Sequence, residues 1–148
     1  MNWAFGIVGT PADSREGETD NAVDTAQMYR NEGEVARAIS DYLQASSAPR
    51  SSVYITTKWN PPEGSTEPGV STDNVYNELQ ASRKIFLEDY NLEYVDLLLV
   101  HQSRPGPQGR ANHWQALVKA QSDGWIKDIG VSNQYVLPPI QRPAYHQQ

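Results

Sequence analysis

Four side chains able to do acid–base chemistry stand in order along the chain: Asp24, Tyr29, Lys58 and His101. Together they suit hydride delivery to a carbonyl carbon. That reaction makes an alkoxide, which must be protonated as it forms, so the site needs a positioned proton donor. A phenol is a feeble donor near neutrality. A neighbouring ammonium stabilises the phenolate, a carboxylate holds the ammonium in place, and an imidazole orients the carbonyl by hydrogen bonding. Tyr29, Lys58, Asp24 and His101 would fill those roles respectively. Singly, three of them have a plainer reading: a packing tyrosine, a solvated lysine, a satisfied structural histidine. The set gains weight from its order and from where the chain places it.

That placement comes from β-rich runs alternating with helical patterns between Ala22 and Asn133, the signature of βαβ units and a parallel sheet. The first run, Ala22 to Thr25, is short. Val35, Ala38, Ile39, Tyr42 and Leu43 then form one apolar helix face, ended by Ser46, Ser47 and Pro49. Val53 to Lys58 is β-branched and aromatic and reads as a strand, leading into a Pro/Gly loop from Trp59 to Val70. Ser71 or Thr72 caps the next helix, which puts Val75, Leu79 and Phe86 on one side. Tyr94 to Val100 is nearly all apolar, as strands covered on both faces are, and ends at His101. A loop from Arg104 to Gly109 precedes a helix carrying Trp114, Leu117, Val118 and Gln121. Gly124 suits the position after that helix, and Ile126 to Val131 is the last strand. Trp114 reads as core at its helical spacing, and His113 and His146 as surface residues. No repeat exists beyond the β/α alternation, and residues 134–148 read as an irregular tail broken by Pro138, Pro139 and Pro143.

Asp24, Lys58 and His101 therefore each end a strand, and Tyr29 follows the first. In a parallel β/α barrel such positions converge on one mouth. The N-terminus departs from this pattern. Phe5 to Val8 can be a strand, but a parallel crossover from it needs about a dozen residues, normally helical, and Gly9 to Asn21 has no helical apolar face. Either a helix is lost there or that run is outside the sheet.

Composition narrows the classes. At 148 residues one domain is expected, and 38% hydrophobic with 20% charged residues is a globular balance. A net charge of −6 with no basic cluster argues against nucleic acid or an anionic membrane as partner and favours a small molecule. The chain has no cysteine, which excludes thiolate metal sites and cysteine nucleophiles, and no His-x-His or paired carboxylates at strand ends suggest a metal. Neither a leader nor a membrane span is signalled, which makes the cytoplasm the expected compartment.

Four ordered segments resemble one family. Asp24-Thr25-Ala26-Gln27-Met28-Tyr29-Arg30-Asn31-Glu32 fits the pattern DTAxxYxNE of the aldo-keto reductases. Thr57-Lys58-Trp59 resembles their lysine strand, Asp96 to His101 the histidine strand, and Ile129-Gly130-Val131-Ser132-Asn133 the IGVSN segment. The resemblance implies a catalytic tetrad of Asp24, Tyr29, Lys58 and His101, with Tyr29 the general acid. It also implies that Ser132 and Asn133, with Asp24, meet the nicotinamide end of NADPH, or in some members NADH, and that aldehydes or ketones are reduced. Trp59 and Gln102 would line the substrate pocket. Ser132-Asn133 also has a plainer reading as a strand end and turn.

The implied fold is an incomplete (β/α)₈ TIM barrel of that type, about strands two to five, within residues 1–148. A whole barrel runs to about 250 residues. The rival expectation is a catalytically inactive truncated remnant, or a regulatory subunit of the same family. Open sheet edges would also favour self-association.

Overall fold

The computed structural model describes residues 21–61, 71–102 and 107–133, so the run Phe5 to Val8, His146 and the tail over 134–148 lie outside the described residues. The order is β1 (Asn21–Asp24), a 3₁₀ turn (Gln27–Tyr29), α1 (Glu32–Ser46), β2 (Val53–Trp59), α2 (Thr72–Arg83), β3 (Val95–Val100), α3 (Pro107–Ser122) and β4 (Ile126–Val131). All neighbouring strands pair in parallel, in the order β1-β2-β3-β4. Sequential parallel strands joined by right-handed crossovers put every helix on the same face. The structure thus has the α/β architecture expected of a barrel segment.

The core lies between that face and the helices. Ile55 and Trp59 of β2, Leu98 and Val100 of β3, Val35 and Ile39 of α1, and Val75 and Leu79 of α2 are buried there. Residues of the other parity face away from the helices, where Tyr54 is exposed and Leu97 and Leu99 are half-buried. β3 was expected to be covered on both sides; among the described residues, its second face is not.

Local chemistry explains the boundaries. Ser71 caps α2, its Oγ accepting from the Asn74 N–H at 3.2 Å. Lys84–Asp89 continue α2 as π-helical turns that carry the buried Phe86. Gly124 follows α3 at φ 83°, a left-handed conformation that glycine adopts without a Cβ penalty. α3 begins at Pro107, inside the expected loop, because a proline at the first helical position loses no intrahelical hydrogen bond.

Two expectations on α3 are reversed. His113 is 1% exposed and Trp114 is 40% exposed. The buried face runs through His113, Ala116, Leu117 and Ala120, the i, i+3, i+4, i+7 series, which leaves Trp114 on the solvent side. His113 packs edge-on against Trp59, ring centroids 4.7 Å apart, and neither of its ring nitrogens has a hydrogen-bond partner. Burial lowers its pKa from 6.5.

A stability prediction follows from those orphaned nitrogens. His113→Leu removes both and should stabilise the chain by about 1–3 kcal/mol at neutral pH. With the folded pKa depressed, the unfolded chain takes up the proton first. The stability linked to neutral His113 is therefore complete above about pH 6.5 and is lost as pH falls through the folded value. His101 shares this sign, so the variant should keep part of the acid slope. Urea melts at pH 7.5 and pH 5 decide it: variant and parent losing equal stability between them would rule out the linkage.

Candidate active site

The parallel register brings the C-terminal ends of the strands to one edge, with Asp24 opposite Thr56 and Lys58 opposite Leu99. Asp24 is the last residue of β1, Lys58 the penultimate residue of β2, and His101 the first after β3. Lys58 is only 7% exposed. Its ammonium donates to Asp24 Oδ1 in a short ion pair and to the Thr25 carbonyl at 3.2 Å. A buried cation needs such partners, because unpaired it would lose its hydration without return.

Tyr29 arrives from the 3₁₀ turn that follows β1. Arg30, in the left-handed region at φ 55°, redirects the chain from that turn into α1. The Tyr29 ring is 50% exposed. Lys58 Nζ lies 5.5 Å from its centroid, and the His101 ring stands edge-on to it at 5.7 Å and 86°. His101 is buried, with its Nδ1 unpartnered. Its pKa is lowered, first by burial and then by the Lys58 charge, against a smaller opposing pull from Asp24. At neutral pH the imidazole is therefore uncharged. The structure thus brings Asp24, Tyr29, Lys58 and His101 together.

Ser132 and Asn133 follow β4 at the same edge. Ser132 N–H donates to the Val100 carbonyl at 2.8 Å, and the Asn133 side-chain amide donates to the His101 carbonyl at 3.0 Å. Gln102 is half-buried next to His101. Trp59 lies elsewhere. It is fully buried on the helix side of β2, the parity opposite to Lys58, and its indole N–H donates to Glu78 Oε2 at 2.8 Å. A role in lining a substrate pocket does not fit that position, because alternate residues of a strand point to opposite faces.

Several further residues belong to the arrangement. Thr25 supplies a carbonyl to Lys58, and its hydroxyl donates to Asn31 Oδ1 at 2.8 Å. Glu32, in the first turn of α1, is buried. Its carboxylate accepts from Thr57 Oγ1 at 2.5 Å and from Ser82 Oγ at 2.9 and 3.0 Å. The threonines and Glu32 fall inside the matched motifs and were visible there, whereas Ser82 gives no signal at all. Among the described residues, no group of three or more His, Cys, Asp or Glu could hold a metal ion, and no helix is long and apolar enough to cross a membrane.

Comparison with known proteins agrees with this architecture. The chain is 36% identical over 111 residues to an aldo-keto reductase of Mycolicibacterium smegmatis, covering 75% of this chain and 34% of that protein. It is 36% identical over 123 residues to methylglyoxal reductase DkgB of Salmonella typhi, covering 82% and 40%. A crystal structure of an aldo/keto reductase from Brucella melitensis superposes with a TM-score of 0.60 at 30% identity, covering 78% of this chain and 39% of that one. The Bombyx mori aldo-keto reductase, solved in complex with NADP, gives a TM-score of 0.58 at 28% identity over 75% and 35%. The chain thus spans two fifths or less of each of these relatives. The model of the aldo/keto reductase family matches residues 18–142, and the chain belongs to that family.

Proposed function

We propose that this chain carries the catalytic residues for NAD(P)H-dependent reduction of aldehydes or ketones to alcohols. The observation that supports this best is the buried Lys58, held by Asp24 and the Thr25 carbonyl, 5.5 Å from the Tyr29 ring. A reduced nicotinamide cofactor, when bound, supplies the hydride. The Tyr29 hydroxyl gives its proton to the carbonyl oxygen as that oxygen becomes an alkoxide, and the Lys58 charge stabilises the phenolate left behind. Asp24 keeps that charge in place. His101, uncharged at neutral pH, turns its other nitrogen, Nε2, to the substrate oxygen and orients it.

The donor set after β4 suits a carboxamide. Ser132 brings a hydroxyl and Asn133, whose amide donates to the His101 carbonyl, brings a carboxamide, so the pair can offer both donors and acceptors, while Asp24 would meet the cofactor from the end of β1. Gln102, half-buried next to His101, would touch the substrate in this reading. Because one relative is a methylglyoxal reductase, a small 2-oxoaldehyde belongs in the first substrate panel. The unpaired outer edges of β1 and β4 among the described residues make self-association part of this reading.

The test is NADPH and NADH oxidation followed at 340 nm with a panel of aldehydes and ketones including methylglyoxal. Substrate-dependent oxidation that disappears in Lys58→Met is the expected result. No oxidation with any carbonyl, under conditions where cofactor binding is seen by fluorescence, would favour a non-catalytic member of the family.

A further inference from the structure

Glu32 has an environment that helix stability does not require. Burying a carboxylate among hydroxyls costs free energy that an apolar side chain of similar size would not, and it raises the pKa of the group from 4.5. What the carboxylate does gain is reach into two segments of the active site. Thr57, which donates to Glu32, is the residue before Lys58. Ser82, which also donates to Glu32, accepts from Gln27 Nε2 at 2.9 Å. Gln27 lies in the same 3₁₀ turn as Tyr29, and its amide also donates to the Glu78 carbonyl of α2 at 3.3 Å. One buried acid therefore joins β2, α2 and the turn bearing the phenol.

We propose that Glu32 is a positioning residue that sets the spacing of Tyr29 against Lys58 and His101, through Thr57 on one side and through Ser82 and Gln27 on the other. Without it the Tyr29 turn keeps its own backbone bonds, Tyr29 N–H to the Ala26 carbonyl and Arg30 N–H to the Gln27 carbonyl, and the Gln27 bond to the Glu78 carbonyl, but the Ser82 hydroxyl that Gln27 donates to loses the carboxylate that fixes it and ties it to β2. Its purpose rests on the reductase reading above. The geometric claim does not.

The test is proton NMR on the full chain, reading the through-space contact between the Tyr29 and His101 rings, whose centroids are 5.7 Å apart. Tyr29→Leu calibrates how far the Tyr29 ring current displaces the His101 ring protons. Glu32→Ala and Gln27→Ala should each remove the contact and move those protons at least half of the way to the Tyr29→Leu position. Glu32→Gln, which keeps an acceptor oxygen for Thr57, should restore part of the contact. Leu43→Ala, which trims an α1 side chain outside this network, should lower Tm and leave contact and shift unchanged. If Glu32→Ala does not fold, Gln27→Ala decides, since it leaves the buried carboxylate with both hydroxyl partners. Variants that lower Tm but keep the wild-type contact and shift would overturn the proposal. Absence of turnover in the parent chain would count against the reductase reading and leave the NMR result interpretable.

Discussion

Joined to the remaining portion of a relative's barrel, Tyr29→Phe should lower carbonyl reduction by about 10²–10⁴-fold while leaving NADPH affinity unchanged. The substitution deletes one oxygen and keeps the ring, so the edge-on contact with His101 and the approach of Lys58 survive. What is lost is the proton delivered to the forming alkoxide, an interaction made only as the reaction proceeds, so kcat and kcat/KM should fall together. Lys58→Met differs in kind. It leaves Asp24 and the Thr25 carbonyl without their cation, so it should reduce stability as well as turnover. Retention of more than a tenth of the parent turnover by Tyr29→Phe would remove Tyr29 from the role of acid.

The strands were legible because β-rich runs begin and end there at turn residues or polar side chains. β4 is found at Ile126–Val131 as expected, since Gly124 stops the helix before it and the β-branched Ile126, Ile129 and Val131 follow. β2 extends one residue further than expected, to Trp59, which pairs with Val100. α3 was misread because periodicity fixes the spacing of a buried face but not its phase. His113 and Trp114 are neighbours, and hydrophobicity alone favours the tryptophan as the core residue. Packing decided otherwise: the imidazole lies edge-on to Trp59, while Trp114 is half-exposed. Trp59, expected in the pocket, is instead on the helix side of β2, because adjacent strand residues face opposite sides. The role of Glu32 was out of reach for another reason. Its partners Thr57 and Ser82 lie 25 and 50 residues away, and only folding brings them together.

Arg50→Met should be the most destabilising single change on the side of the sheet remote from the site, at about 3–5 kcal/mol. Arg50 precedes β2, and its guanidinium is buried at the N-terminal end of the strands. It donates from Nε to the Leu92 carbonyl at 2.8 Å, from one terminal nitrogen to the Val53 carbonyl, and from the other to the Tyr94 carbonyl and Asp96 Oδ2 at 2.8 and 2.7 Å. Asp96 Oδ2 in turn accepts from the Ile55 N–H at 2.8 Å. The planar fork therefore ties the start of β2 to the chain entering β3. Lysine, with a single charged nitrogen, could not serve four acceptors spread this way. Removing the arginine strands a buried carboxylate with one backbone donor and leaves three carbonyls short of theirs. A typical domain has only about 5–15 kcal/mol in hand, so the variant should lose a large share of its stability. Arg37→Ala gives the contrast. Its pair with Asp41 is 3.6 Å long with both side chains about 70% exposed, and its loss should change stability by less than about 0.5 kcal/mol. Arg50→Met with Asp96→Leu should recover part of the deficit, because the stranded charge is gone while the carbonyls and the Ile55 N–H remain unpaired. Urea midpoints at constant m separate the cases. Should Arg50→Met shift the midpoint no further than Arg37→Ala, the guanidinium would be a passenger and the β2–β3 junction would owe its stability to apolar packing alone.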